Sequence, residues 1–384
     1  MGHLRLVGGV VAATTLALGV LGAVGPATAG GSPGHHLDDL TPVVEGLDGP
    51  RGVDALGHGW TVVTETDGTF SLVIEHRHRH GHHHGHHRGH HGHAPKVIEL
   101  GQVPGGFAPA VSVGKDHTVW ILTGGSGEPG GATLYRWRKG WDAPQAFVDI
   151  AAYQATDPDP YDLEDNPTDS NPFGVAALRD GSVLVADAAG NDLLRVLPDK
   201  SVQTVARLKP RTVEVPEGLP GAGTTMPAEA VATSVTVGKD GAWYVGELRG
   251  YPATAGTSQI WRIRPGTTGA VCDPEKPWGA CSRYADGLTS LVDLGADGRG
   301  IYAVTLSKMT WLAVESEEPV PGAEIGGLFL VSRGHHGGYH RHGTARITEL
   351  VPGQLELPGG VDVADGTPYV VGPVFGPGSL ARID

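Results

Sequence analysis

The stretch Asp169–Leu208 constrains the fold more than any other. It reads DSNPFGVAALRDGSVLVADAAGNDLLRVLPDKSVQTVARL. Four short apolar runs, Phe173–Leu178, Ser182–Asp187, Asp192–Leu197 and Val202–Leu208, are separated by Arg179-Asp180-Gly181, Ala188–Asn191 and Pro198-Asp199-Lys200. Asp-Gly between apolar runs marks a hairpin, and each run has the length of a strand. Four antiparallel strands in about 40 residues form one blade of a β-propeller.

The unit recurs along the chain. First strands start near Gly52, Pro109, Phe173, Thr233, Ser290 and Gly360, several of them followed by Lys-Asp or Asp-Gly turns (Lys115-Asp116, Lys239-Asp240-Gly241, Asp297-Gly298, Asp365-Gly366). This predicts an all-β protein, a six-bladed β-propeller. The sixth blade runs out of chain after three strands. The isolated segment Thr41–Leu47 (TPVVEGL) has the pattern of a fourth strand, so it is predicted to cross over and close the last blade, removing an exposed sheet edge. Labelling each blade's strands A to D from the axis outward, D–A connections and B–C loops fall on one face, the top. A–B and C–D hairpins fall on the bottom.

Glycine (61) and proline (29) make up over a fifth of the 384 residues, as an all-β chain full of turns requires. The net charge of −14 excludes a nucleic-acid partner, which needs a basic surface, and disfavours anionic lipid. Residues 1–29 read as a secretory signal peptide: an apolar run Val7–Val24, then the small-residue cleavage site Ala27-Thr28-Ala29. Residues 30–40 read as a linker, and 41–384 as the propeller. No second apolar stretch is long enough to span a bilayer, so the processed protein is expected to be secreted and monomeric, without stable membrane insertion. The two cysteines, Cys272 and Cys281, are predicted to form a disulfide across a turn-rich loop.

Loops from several blades converge at the top of a propeller, which makes it the first place to look for a ligand site. Arg51, Asp169, Asn171 and Ser234 stand where blades begin, and Glu65, Asp187 and Glu247 stand at the ends of B strands. Asp169, Asn171, Asp187 and Glu247 offer the oxygen ligands that Ca²⁺ or another divalent ion takes. Asp and Asn at such positions also cap turns, which is the competing structural reading. The D–A connection Tyr153–Asn171 is long and acidic, but lacks the spacing of an EF-hand loop.

Two histidine-rich tracts stand apart in composition. Residues 76–93 carry His76, His78, His80, His82, His83, His84, His86, His87, His90, His91 and His93; residues 334–342 carry His335, His336, His340 and His342. Imidazole ligates Zn²⁺, Ni²⁺ and Cu²⁺. Both tracts interrupt C–D hairpins, of blades one and five, which assigns them to the bottom face. Tolerated low-complexity insertion is the alternative. Below about pH 6 the tracts become strongly basic, which would favour an anionic cell-envelope polymer.

The segments SNPFGVAALRDGSVLVADAAGNDLLRV, TSVTVGKDGAWYVGEL and YADGLTSLVDL resemble the secreted ScyD/ScyE family, associated with scytonemin biosynthesis. The similarity covers Thr41–Asp384 and implies a six-bladed propeller. More distantly, the blades resemble NHL repeats and gluconolactonase-like propellers. The latter implies a divalent ion at the top, with Asn171 matching an Asn that precedes a strand A. The catalytic Asp of those enzymes has no counterpart here. Three readings follow. One is a binding or scaffold module whose partner is a small molecule or a cell-envelope component. The second is a divalent-metal hydrolase of the lactonase type, and the third an extracellular metal-sequestering protein.

Overall fold

The computed structural model describes residues 39–75, 94–105, 107–333 and 345–384. The predicted signal peptide, most of the predicted linker and all fifteen histidines named above lie outside the described residues. What is described forms six four-stranded antiparallel blades, one of them extended by a fifth strand, together with a two-stranded hairpin. Blade one runs Val53–Gly57, Trp60–Thr64, Thr69–Ile74 and Lys96–Gln102; blade three runs Pro172–Ala177, Val183–Asp187, Asp192–Val196 and Val202–Leu208. The innermost strands of blades two, four, five and six are Ala110–Val113, Ala232–Val237, Leu291–Ala296 and Gly360–Ala364.

The ring closes as expected. Leu40–Asp48 pairs antiparallel with Pro377–Ile383, from Leu40 opposite Ile383 to Asp48 opposite Pro377, and becomes the outer strand of blade six. Its inward residues Val43 and Leu47 join Tyr369, Val371 and Leu380 of that blade and Val53, Val63 and Val73 of blade one. Six apolar clusters hold the ring, one at each junction between neighbouring blades. Because both faces of a blade are covered, the B strands lose the usual in-and-out alternation. All four residues of Val119–Leu122 and all five of Val183–Asp187 are buried.

The A–B turns explain why the Asp-Gly signal was readable. In Leu178–Ser182, the Leu178 amide donates to the Ser182 carbonyl, the Gly181 amide donates back to the Leu178 carbonyl, and Gly181 takes a φ of 86°, which glycine adopts without strain. The turn aspartate does two jobs. Asp180 accepts from the Ser182 amide and hydroxyl, and its other oxygen pairs with Arg195 of strand C at 2.5 Å. Asp116 with Arg138 and Asp240 with Arg262 repeat the arrangement in blades two and four.

Three features were not anticipated. The connection between blades three and four contains a hairpin, Arg211–Glu214 with Thr225–Ala228. Two single-turn helices, Ile150–Gln154 and Trp311–Val314, follow strand D of blade two and strand B of blade five. Finally, Ala270–Cys272, from the C–D connection of blade four, pairs in parallel with Ala206–Leu208 and adds a fifth strand to blade three. The predicted Cys272–Cys281 disulfide is present and ties this strand to the start of Cys281–Leu288, strand D of blade four. No helix among the described residues is long and apolar enough to cross a membrane.

Candidate functional site

Strand A is the inner edge of each blade, so its outward backbone groups have no further strand to pair with. Neighbouring blades meet this need with side chains. Asp54 accepts from the Val113 amide of blade two at 2.7 Å, and Ser112 from the Ala177 amide of blade three at 3.1 Å. Asp293 accepts from the Val361 amide of blade six at 2.8 Å, and Asp362 from the Ala55 amide of blade one at 2.8 Å. Close approach is built in: a Cβ on Gly52 would lie 2.9 Å from the Ala110 Cα.

All six inner strands line a channel holding about 70 Å³ of free space, with Asp54, Asp293 and Asp362 on its wall. That volume takes a few waters, whereas organic ligands need roughly 300 Å³ or more. The three carboxyl groups are edge-accessible to the channel yet sit deep in protein. Burial raises Asp54 to about 6, against its bonds to Val113 and Ser112. Burial raises Asp293 to about 7. Asp362 is pushed well above the carboxylate range by burial and then by the charge of Asp54. These aspartates escaped the sequence reading, although the signal existed: an acid inside an apolar strand, at nearly the same offset in Val53-Asp54-Ala55, Val292-Asp293-Leu294 and Val361-Asp362-Val363.

A ligand must therefore sit at the mouth, where the predicted residues fare differently from one another. Asp187 is fully buried. It accepts from the Ser170 hydroxyl (2.6 Å), from the amides of Asn171 (2.7 Å), Ala189 and Gly190 (3.2 Å each), and from the Gln154 side chain (3.4 Å). Burial raises its pKa against those bonds. Asp192, opposite Asp187 on strand C, shares the Gln154 amide and is raised well above the ordinary range by burial and then by Asp187. Glu247 is fully buried, paired with Arg249, and accepts from the Trp261 indole at 3.1 Å. Burial pushes it up to about 7 against the pull of Arg249. Glu65 accepts from the Asp48 amide at 2.6 Å, and Asp169 is exposed and caps the Ser170 amide. Ser234 is fully buried, and its hydroxyl has no partner among the described residues.

The acidic connection 153–171 is likewise occupied with its own turns. Asp157 pairs with Arg207, Asp159 accepts from the Tyr161 amide and the Asn191 side chain, and Asp162 accepts from the amides of Glu164 and Asn166. Glu229, which the sequence reading did not single out, accepts from the Leu163 amide at 2.7 Å; burial lifts it to about 7.

Arg51 and Asn171 remain. The Arg51 guanidinium lies 4.5 Å from the Phe107 ring and 5.4 Å from the Phe375 ring. Its Nε is buried without a partner among the described residues, and burial alone lowers the group to about 10. Asn171 Oδ1 accepts from the Gly125 amide at 2.9 Å, and its side-chain NH₂ meets no acceptor among the described residues. A Cβ on Gly124 would fall 2.5 Å from the Phe107 ring and 3.0 Å from Asn171 Oδ1, so the ring and the amide meet there. Phe173 packs 5.7 Å from Phe107. The structure thus brings Arg51 and Asn171 to one rim and leaves Asp187 and Glu247 inside the fold.

Asp169, Asn171, Asp187 and Glu247 do not fit a divalent ion as placed. The oxygens of Asp187 and Glu247 are taken by protein donors, and no group of three or more metal-binding side chains gathers among the described residues.

The fold is shared with solved propellers. A putative glucose dehydrogenase from Thermus thermophilus superposes with a TM-score of 0.50 at 14% identity, covering 90% of this chain and 99% of that one. A gluconolactonase from Xanthomonas campestris gives 0.50 at 12% identity, over 89% and 88%. The PQQ domain of pyranose dehydrogenase from Coprinopsis cinerea gives 0.50 at 11% identity, over 89% and 95%. These likenesses define the class, a six-bladed β-propeller, and nothing narrower. No protein-family profile and no curated protein matches the sequence.

Proposed function

We propose that this chain is an exported propeller of the ScyD/ScyE type that works as a binding or scaffold module, taking a small molecule or cell-envelope fragment at the top mouth of its channel. One observation carries the reading. Asp187 and Glu247, the acids that metal-dependent hydrolysis would need, are engaged by donors of their own blades and loops, while Arg51 and the Asn171 side-chain NH₂ have no hydrogen-bond partner among the described residues at the rim. Export is supported by the Ala27-Thr28-Ala29 site and by a disulfide. The histidine tracts at residues 76–93 and 334–342 add weak Zn²⁺, Ni²⁺ or Cu²⁺ binding, which as a main role would make the protein a metal sequesterer.

Hydrogen exchange of the full chain against small molecules and cell-envelope fragments tests the reading. A binder should protect the mouth segments Pro50–Asp54, Phe107–Val111 and Gly372–Gly376. Protection confined to other faces would reject it. The hydrolase reading has its own readout: turnover of any member of a lactone panel, lost in Asn171→Ala and accompanied by a stoichiometric bound ion, would replace the binding reading. Deleting residues 76–93 and 334–342 should abolish transition-metal binding and leave the mouth unchanged.

A further inference from the structure

We infer that the mouth of the channel is a carboxylate site, in which Arg51 anchors the acid group of a small organic ligand whose flat apolar body covers Phe107 and Phe375. The inference rests on the binding reading above and specifies its ligand.

The other half-buried or buried arginines show how this fold treats a guanidinium when it is purely structural. Arg207 pairs with Asp157, Arg211 with Asp286, Arg249 with Glu247 and Arg382 with Glu75. Arg333 donates to the carbonyls of Arg283 and Tyr284, each at 2.8 Å. Arg136 also lies over rings without an ion pair, but on strand C of blade two, away from the channel. Arg51 alone combines burial, a place at the channel mouth and no acidic partner among the described residues.

A partly desolvated cation is costly until an anion completes it. The planar fork of arginine matches a carboxylate with two parallel hydrogen bonds. The rings fix the rest of the ligand. Phe375 is 57% exposed, an unusual position for so large an apolar side chain, and it flanks the cation together with Phe107. The Asn171 NH₂ is a second donor, reached past Gly124. The channel below is too narrow to admit the ligand, so the acid group points at Arg51 and the body lies across the rim. The net charge of −14 repels extended polyanions and leaves the site to small monoanions.

The test is calorimetric titration of the full chain at low salt with benzoate, hexanoate, phenyl phosphate and the neutral isostere benzyl alcohol. Arg51→Gln, Arg51→Lys and Phe107→Leu are titrated in parallel, each first checked for a wild-type unfolding midpoint. Benzoate is expected to bind in the range of about 1 mM. Benzyl alcohol should bind at least about tenfold more weakly. Arg51→Gln should erase the difference between acid and alcohol, Arg51→Lys should keep part of it, and Phe107→Leu should weaken benzoate more than hexanoate. Equal benzoate binding by wild type and Arg51→Gln, or preference for phenyl phosphate over every carboxylate, overturns the carboxylate site. If neutral oligosaccharides protect the mouth in hydrogen exchange while no acid binds, the carboxylate inference fails and the binding reading survives. If nothing binds at the mouth, both fail.

Discussion

Asp362, on the inner strand of the last blade, accepts a hydrogen bond from the Ala55 amide of the first blade at 2.8 Å. The propeller is therefore closed twice, at the rim by Leu40–Asp48 on the outside of blade six, and at the axis by a carboxyl reaching across to blade one. Asp54 and Asp293 make the same kind of bond at two other junctions. These bonds satisfy inner-edge amides that no strand can reach.

Asp362→Ala should therefore destabilise the protein by about 1–3 kcal/mol, the cost of leaving a buried donor unpaired. Asp362→Asn keeps an acceptor oxygen and should retain most of the stability. Urea unfolding of the two variants beside wild type separates these outcomes. Equal losses for Ala and Asn would assign the effect to packing and not to the bond.

The same acids give stability a pH dependence of known sign. Asp293 titrates near 7 in the folded protein and near 3.9 when unfolded. Between those values the folded state binds the extra proton, so the contribution is fully present below about pH 4 and is lost as pH rises through 7. Carboxylates with lowered values, such as Asp180 beside Ser182 and Arg195, act in the opposite sense at lower pH, so the wild-type profile alone is a sum. The difference profile isolates the residue. Relative to wild type, Asp293→Asn should gain stability between pH 5 and pH 8. A flat difference across that range would show that Asp293 ionises without cost.

How far the sequence foretold this arrangement depends on the range of each interaction. The blades, their turns and the crossover of Thr41–Leu47 follow from local patterns, such as Arg179-Asp180-Gly181 between two apolar runs. They also follow from a count that left one strand missing. Arg51 and Asn171 were expected on one face because strand order decides the face of each loop; in the structure Arg51 lies against Phe107, and Phe107 meets Asn171 at Gly124. What could not be read was commitment. Nothing local tells that Asp187 is saturated by five donors, or that Glu247 is held by an arginine two residues on and an indole fourteen residues on. The short strands Thr225–Ala228 and Ala270–Cys272 were equally hidden, being three or four residues long, and the second is ordered by a partner distant in sequence, Ala206–Leu208.

The Glu247–Arg249 pair supplies a test of that commitment. Both side chains are buried, at 0% and 1% exposure, and Arg249 also donates to the carbonyls of Ala228, Glu229 and Thr257. Removing one member of a buried pair typically costs about 3–5 kcal/mol, because the remaining charge is left alone. Glu247→Ala should lower the unfolding midpoint accordingly, whereas a residue serving chiefly as a metal ligand would change metal content and leave apo stability nearly intact.

The disulfide makes a prediction about the outer edge of blade three, which Cys272 reaches from the C–D connection of blade four. Cys272 ends the strand that pairs in parallel with Ala206–Leu208, and Cys281 opens strand D of blade four. The bond closes a loop with a sequence separation of nine, which constrains the unfolded chain by roughly 2–3 kcal/mol. If that were its whole effect, Cys272→Ala with Cys281→Ala would lower global stability and change hydrogen exchange evenly. The pairing implies more. Without the staple, Ala270–Cys272 should detach from blade three, exposing the outer edge of Val202–Leu208. Exchange at the Lys209 amide, which donates to the Cys272 carbonyl, should then rise well beyond the global change, while the Leu208 amide, bonded inward to the Asn191 carbonyl, and strand D of blade two, Gln145–Asp149, stay as protected as before. Uniform acceleration of both edges would show that the fifth strand holds without the bond.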